Sequence, residues 1–157
     1  MIPPRLCLLG RVAGLPVYLV SGERVRAELD IDFTMGGNGG VYAYCPKGEI
    51  WLDDGLNALD LNATALHELV ERYLMLQYGW SYDRAHDAAS ERERVFRREL
   101  AKRRPRGFDA ARVGEAYRAF LGAQQRGARE TREAGRRMDK EIAEAMRAAK
   151  RRRAGTR

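Results

Sequence analysis

Over the first third of the chain, apolar side chains occur in short runs that glycine and other turn-forming residues separate. This pattern predicts β-structure at residues 6–20, 25–33, 41–45 and 49–52. Residues 36–40, which are four glycines around Asn38, predict a turn that uses positive φ. The first third of the chain is therefore expected to form a small antiparallel sheet.

Beyond this region the apolar positions follow the period of a helix, with one apolar face at Leu66, Leu69, Val70, Tyr73 and Leu74. Asn62 or Thr64 can cap this helix, and Gly79 ends it. Ser81 caps a second helix, which the break at residues 104–107 ends. Because only about three residues join the two helices, we expect them to pack as an antiparallel hairpin.

The last part of the chain predicts a short amphipathic helix from Phe108 and then a separate, highly charged helix. Met138, Ile142 and Met146 form the single apolar line of that charged helix. The predicted fold class is therefore α+β, with an N-terminal antiparallel sheet, a helical hairpin and a basic helical extension. We place the domain boundary between residues 1–104 and residues 105–157.

Charge is distributed unevenly between the two parts. Residues 1–96 hold 9 Lys and Arg against 14 Asp and Glu, whereas residues 97–157 hold 20 against 8. A net charge of −5 in the first part favours cations, and +12 in the second favours nucleic acid or another polyanion. A solvated extension without a ligand, or a partner helix bound along the line of Met138, would explain the same tail.

Residues 67–71 (HELVE) differ by one letter from H-E-x-x-H, in which two histidines bind zinc and the glutamate is the general base. His67 and Glu71 are four residues apart, so a helix brings them to one face, where both can bind one ion. Zinc accepts a carboxylate oxygen in place of an imidazole. Glu68 occupies the position of the base that takes a proton from water held by the metal.

A third ligand is expected from the second helix, because His86 is the one other histidine of the sequence. Glu93 lies on the same face as His86, either as a fourth ligand or as a carboxylate that orients an imidazole. Two simpler explanations stay open. HELVE is also compatible with an ordinary surface ion pair, and Glu49, Asp53 and Asp54 could form a different metal site, although Asp-Asp-Gly is typical of a turn.

The chain resembles a group of small phage and prophage zincin-like metallopeptidases. The resemblance rests on three consecutive patterns: a strand Glu-Ile-Trp-Leu-Asp, a helix His-Glu-Leu-x-Glu and a helix Tyr-x-x-Ala-His-x-x-Ala-x-x-x-Glu. The likeness covers roughly residues 12–100. It implies a metal bound by His67, Glu71 and His86, with Glu68 catalytic. It also implies that the strand at residues 49–52 borders the substrate cleft.

These observations favour a zinc-dependent hydrolase of peptides or proteins whose basic tail binds a polyanion or a phage assembly. The alternative is a non-enzymatic phage structural, packaging or host-takeover protein that acts through residues 97–157. No apolar run reaches the roughly 18 residues of a membrane span, and Arg11 interrupts the short apolar segment near the N-terminus. We therefore expect the bacterial host cytoplasm, or association with the virion, and no membrane partner.

Overall fold

The computed structural model describes residues 4–154, except for the side chains of residues 145 and 147–154. In this part of the chain the fold is α+β, which confirms the predicted class. The elements are β1 (Arg5–Val12), β2 (Leu15–Val20), α1 (Gly22–Glu28), β3 (Gly36–Asn38), β4 (Ile50–Asp53), α2 (Ala58–Tyr78), α3 (Tyr82–Ala101) and α4 (Ala110–Ala154).

The four strands form a mixed sheet in the order β1-β2-β4-β3. β1 pairs with β2 and β3 pairs with β4 in antiparallel fashion, but β2 and β4 are parallel. The prediction of a purely antiparallel sheet is therefore wrong for one of the three strand pairs. The reason is the long connection between β2 and β4, which contains α1 and allows the chain to cross over and return in the same direction.

The segment at residues 25–33 begins as a helix and not as a strand. Ser21 caps α1 by accepting a hydrogen bond from the backbone N–H of Arg24 at 3.4 Å. Arg24 and Glu28 then form an ion pair across one helical turn, while Val25 is buried in the core. A local cap and an i,i+4 pair thus outweigh the β-propensity of this short segment.

The glycine-rich segment also differs from its prediction, because residues 36–38 are strand β3 and residues 41–45 form turns. The glycines at 36–40 do not have positive φ. They permit close approach instead, since a Cβ at Gly36 would lie 2.7 Å from Thr64 Cγ2, and one at Gly39 would lie 2.5 Å from Lys47 Cα. The apolar residues at 41–45 serve the core without forming a strand, and Cys45 packs with Trp51.

The helical hairpin forms where the sequence predicts it, although α2 starts earlier than expected. Asn57 is its N-cap and accepts a hydrogen bond from the N–H of Asp60 at 2.9 Å. Gly79 ends α2 with φ of 63°, the left-handed conformation that favours glycine at this position. The connection of three residues then returns the chain along α2 as α3, which packs against it over its length.

The chain divides into two compact units, one ending at Arg118 and the other beginning at Ala119. The second unit is the remainder of α4, which is continuous and not the two separate helices that we predicted. Gly122 and Gly127 each cost about 1 kcal/mol relative to alanine, which is not enough to break a helix without a proline. The predicted apolar line at Met138, Ile142 and Met146 is exposed.

The basic cluster at residues 150–153 lies in α4, but its side chains fall outside the described part of the structure. None of the described helices combines the length and the apolar character that crossing a membrane requires.

Candidate metal centre

α2 presents His67, Glu68 and Glu71 toward the protein interior. All three are buried, with 7%, 6% and 2% of their surfaces exposed. Three ionisable side chains on the buried face of a helix need partners of opposite charge or an ion, because burial of an uncompensated charge is costly. The surface-cluster explanation of HELVE is therefore wrong for this fold.

α3 contributes His86, which the short turn after Gly79 brings opposite the buried face of α2. His86 Nδ1 lies 2.9 Å from Glu71 Oε2 and 3.1 Å from His67 Nε2. The remaining pair, His67 Nε2 and Glu71 Oε2, are 3.5 Å apart. The predicted ligand atoms of the two helices thus form a triangle.

The dimensions of this triangle fit a tetrahedral metal ion. Zinc binds imidazole nitrogen and carboxylate oxygen at about 2.0–2.1 Å, so two ligand atoms of a tetrahedron lie about 3.3 Å apart. The three sides of the triangle, which are 2.9, 3.1 and 3.5 Å long, lie close to this separation. Among the described residues, His67, Glu71 and His86 are the one group of His, Cys, Asp and Glu side chains arranged to hold an ion.

Glu93 does not join the triangle but contacts the other nitrogen of His67. Its Oε2 lies 3.0 Å from His67 Nδ1, and its Oε1 accepts a hydrogen bond from Arg97 at 2.8 Å. Arg97 also binds Asp60, near the start of α2. Because an ionised carboxylate only accepts hydrogen bonds, His67 carries its proton on Nδ1 and directs Nε2 to the triangle. Of the two roles predicted for Glu93, this geometry favours orientation of the imidazole.

Glu68 lies beside the triangle and is bound by Asn38, a residue of the glycine run that was expected to form a turn. Asn38 Nδ2 donates to Glu68 Oε2 at 2.8 Å and to Glu71 Oε1 at 3.1 Å. Asn38 is fully buried at the end of β3. A single polar side chain inside a glycine run was the one sequence feature that could have indicated this role.

The ionisation of the centre follows from its burial and its charges. Burial lowers the pKa of His67, but hydrogen bonds with Glu71 and Glu93 outweigh it and raise the pKa to about 10. Burial raises the pKa of Glu71, yet hydrogen bonds with His67 and His86 hold it below its ordinary value. The hydrogen bond with His67, followed by that with Arg97, lowers the pKa of Glu93 to about 2 against the effect of burial. A proton on His67 thus compensates the carboxylates when no cation does.

The pKa of Glu68 shifts the other way. Complete burial and the negative charge of Glu71 raise it to about 7, although His67 and the hydrogen bond from Asn38 act in the opposite direction. A carboxylate with this pKa can both accept and release a proton near neutral pH.

A cavity of about 240 Å³ opens over the centre. Its walls include the four site residues of α2 and α3, Glu93, and the segment from Thr34 to Gly36 that leads into β3. Half-exposed His86 lies at its rim, with 42% of its side chain accessible. Thr64 also lines the cavity, and its buried hydroxyl has no hydrogen-bond partner among the described residues.

The strand that borders this cavity is β3 and not β4. β4 lies inside the sheet between β2 and β3, and residues 49–52, which were expected to border the substrate cleft, do not line this cavity. The alternative metal site is also excluded by its contacts. Asp53 binds Arg26 at 2.6 Å, Asp54 accepts a hydrogen bond from the backbone N–H of Gly22, and Glu49 binds Arg5 and Trp51.

Comparisons with known proteins give no independent information about this site. No protein-family model, curated protein or solved structure matches the chain. The resemblance to phage zincin-like metallopeptidases therefore stays a prediction, carried by the motifs from which it was made.

Proposed function

We propose that this protein is a metal-dependent hydrolase that binds one zinc ion through His67, Glu71 and His86. The observation that carries the proposal is the triangle of ligand atoms, 2.9–3.5 Å on each side, in a buried site that opens to a cavity. Two imidazole nitrogens and one carboxylate oxygen are a ligand set of catalytic zinc sites, which leave a coordination position open. The chain's two cysteines take no part in the group, so the ligand set does not favour a structural site of the cysteine type.

Zinc, when bound, would polarise a substrate carbonyl and make water a stronger nucleophile at neutral pH. Glu68 is the general base of the proposal, because it lines the same cavity and its pKa of about 7 suits proton transfer at neutral pH. It would accept a proton from the attacking water and deliver it to the leaving group. Glu93 would hold His67 in the tautomer that binds the ion.

The proposed substrate is an amide bond in a peptide or protein. This part of the proposal rests on the resemblance to zincin-like metallopeptidases, as do the phage context and the bacterial host cytoplasm as its location.

The experiment that tests the proposal separates binding of the metal from chemistry. Protein purified without chelator should contain one zinc per chain by elemental analysis, and His67→Ala and His86→Ala should lose it. Glu68→Gln should keep the zinc but lose cleavage of a peptide library, whereas exposed Glu91→Gln should keep both. Absence of stoichiometric zinc would contradict the metal site, and cleavage that survives Glu68→Gln would contradict the assigned base.

A second candidate function is polyanion binding, which the connection between α3 and α4 favours. A concavity of about 570 Å³ is lined by four arginines, Arg103, Arg104, Arg106 and Arg112. Asp109 is the one acidic residue in its lining. Several guanidinium groups around one concavity suit phosphate oxygens. This function does not require catalysis, so it would also fit a protein whose metal is structural.

A further inference from the structure

Asn38 uses every hydrogen-bonding group of its side chain within the candidate metal centre. Its two N–H bonds serve Glu68 Oε2 at 2.8 Å and Glu71 Oε1 at 3.1 Å. Its Oδ1 accepts a hydrogen bond from the backbone N–H of Gly40 at 2.9 Å. Because a backbone N–H can only donate, this bond fixes which end of the amide faces the two carboxylates.

The contact with Glu71 distinguishes the two oxygens of that carboxylate. Asn38 binds Oε1, whereas Oε2 is the atom that lies 2.9 Å from His86 Nδ1 and belongs to the ligand triangle. The amide therefore restrains the rotation of the carboxylate and leaves one oxygen directed to the site of the ion. The other N–H of the same amide binds Glu68 and thereby holds the Glu68 carboxylate beside that of Glu71.

The same amide also reduces repulsion between two buried carboxylates. Both carboxylates lie within hydrogen-bond distance of the same amide nitrogen and are buried, and like charges in such a site repel each other. A donor shared between them offsets part of that repulsion, and no other residue of β3 can replace it, because the other two are glycines.

We propose that Asn38 is a positioning residue of the metal centre, which sets both the affinity for the ion and the placement of the general base. This inference rests on the proposed function. It gives the glycine run a physical purpose, since β3 must approach α2 closely for a side chain as short as asparagine to reach the carboxylates. A Cβ at Gly36 would lie 3.3 Å from Glu68 Cγ and 3.0 Å from the carbonyl oxygen of Trp51.

The test is a change of one atom. Asn38→Asp keeps the acceptor for Gly40 and replaces the N–H donors by an oxygen. The chain offers a matched control in Asn62, which is equally buried and makes three hydrogen bonds, to Ala58, Gly107 and Asp109, away from the centre. Asn62→Asp should lower the free energy of unfolding without a change at the metal.

Zinc affinity is measured by competition with a chromophoric chelator, and coordination by the visible spectrum of the cobalt-substituted full-length protein. Asn38→Asp should weaken zinc binding roughly 10- to 100-fold, as loss of a partner behind a ligand does. It should also alter the cobalt spectrum at saturation, which a loss of stability alone would not do. Gly40→Ala, whose Cβ would lie 2.9 Å from Asn38 Oδ1, should act in the same direction, and it serves if Asn38→Asp does not fold.

The outcomes separate the inference from the function on which it rests. If the unaltered protein binds zinc and the variants at Asn38 and Gly40 bind it equally well with the same cobalt spectrum, the inference is overturned and the metal site stands. Equal weakening by Asn38→Asp and Asn62→Asp would also overturn it, because the effect would then be one of general stability. If the unaltered protein binds no stoichiometric zinc, both are overturned.

Discussion

Glu93 approaches His67 on the nitrogen that faces away from the ligand triangle, with Oε2 lying 3.0 Å from Nδ1. Arg97 holds the other oxygen of the same carboxylate at 2.8 Å and also binds Asp60. The imidazole that begins the HELVE motif is therefore oriented from α3, while its ligand nitrogen points into the centre. A carboxylate behind a histidine ligand is a frequent feature of zinc sites, where it fixes the tautomer and increases basicity.

Replacement of Glu93 by glutamine should weaken zinc binding by roughly 10- to 100-fold, because the neutral amide orients His67 less firmly. Competition with a chelator measures this change. The cobalt spectrum decides between the two roles that the sequence allows. An orienting Glu93 predicts the same number of ligands in the variant at saturation, whereas a fourth ligand predicts a change in coordination.

Glu91→Gln is the matched control for this variant, since Glu91 lies on the same helix and pairs with Arg94 at the surface. It should leave both the affinity and the spectrum unchanged. Equal affinities for zinc in the Glu93 and Glu91 variants would refute the orienting role.

The metal-free protein should lose stability as the pH rises above neutrality. The pKa of His67 is 6.5 in its ordinary state and about 10 in the fold, so the folded chain holds one more proton than the unfolded chain between these values. The contribution is fully present below pH 6.5 and is lost as the pH rises toward 10. The expected slope is up to about 1.4 kcal/mol per pH unit.

Urea unfolding of the protein in the presence of a chelator, at several pH values in this range, measures that slope. His67→Gln removes the group that titrates and keeps the size of the side chain, so its stability should depend less on pH. Parallel curves for the two proteins would show that His67 is not protonated beyond its ordinary range.

Close packing between β3 and α2 predicts that Gly36→Ala is destabilising. The added Cβ would lie 2.7 Å from Thr64 Cγ2, and overpacking of this kind costs typically about 1–3 kcal/mol. Thr64→Ser removes the nearest methyl group and should restore part of the loss in the double variant. Gly48→Ala is the control, because nothing lies within 4 Å of its Cβ position. Thermal unfolding of the four proteins makes the comparison, and an equal effect at Gly36 and Gly48 would contradict it.

The sequence predicts the α2 and α3 part of the centre because local geometry determines it. His67 and Glu71 share a helix face by their spacing, and the short turn at Gly79 requires the next helix to return beside them. The residue period of a helix and the length of a short connection can both be read directly from a sequence. The positions of His86 and Glu93 follow from the same two facts.

The sheet and Asn38 could not be predicted in this way, because long-range packing determines them. Thirty residues separate Asn38 from Glu68 along the chain, and glycines that permit close approach look the same in sequence as glycines that permit positive φ. The parallel pairing of β2 with β4 likewise depends on a crossover that no local pattern states. For α1, the apolar residues at 25–33 indicated a strand, although Ser21 caps a helix there.

The basic part of the chain can be tested for polyanion binding by comparison of two sets of arginines with equal charge. Arg103, Arg104 and Arg106 lie around one concavity, whereas Arg126, Arg136 and Arg137 are exposed along the later part of α4. A phosphate backbone bound in the concavity would contact the first set at once. We therefore expect the triple change to glutamine at Arg103, Arg104 and Arg106 to weaken binding of double-stranded DNA more than the same change in the second set.

The dependence on salt identifies the mechanism, because each phosphate contact that is lost reduces the slope of log K against log salt by about 0.9. Loss of three contacts in the first variant should reduce the slope by roughly 2.7 in fluorescence-anisotropy titrations. A chain shortened at Gly127 retains the concavity and should retain this part of the binding. Shortening at Pro105 would be a poorer test, because it would also remove Val113 and Tyr117, which are buried in the core. If both triple variants weaken binding equally, total charge and not the concavity is responsible. If neither does, the second candidate function is wrong.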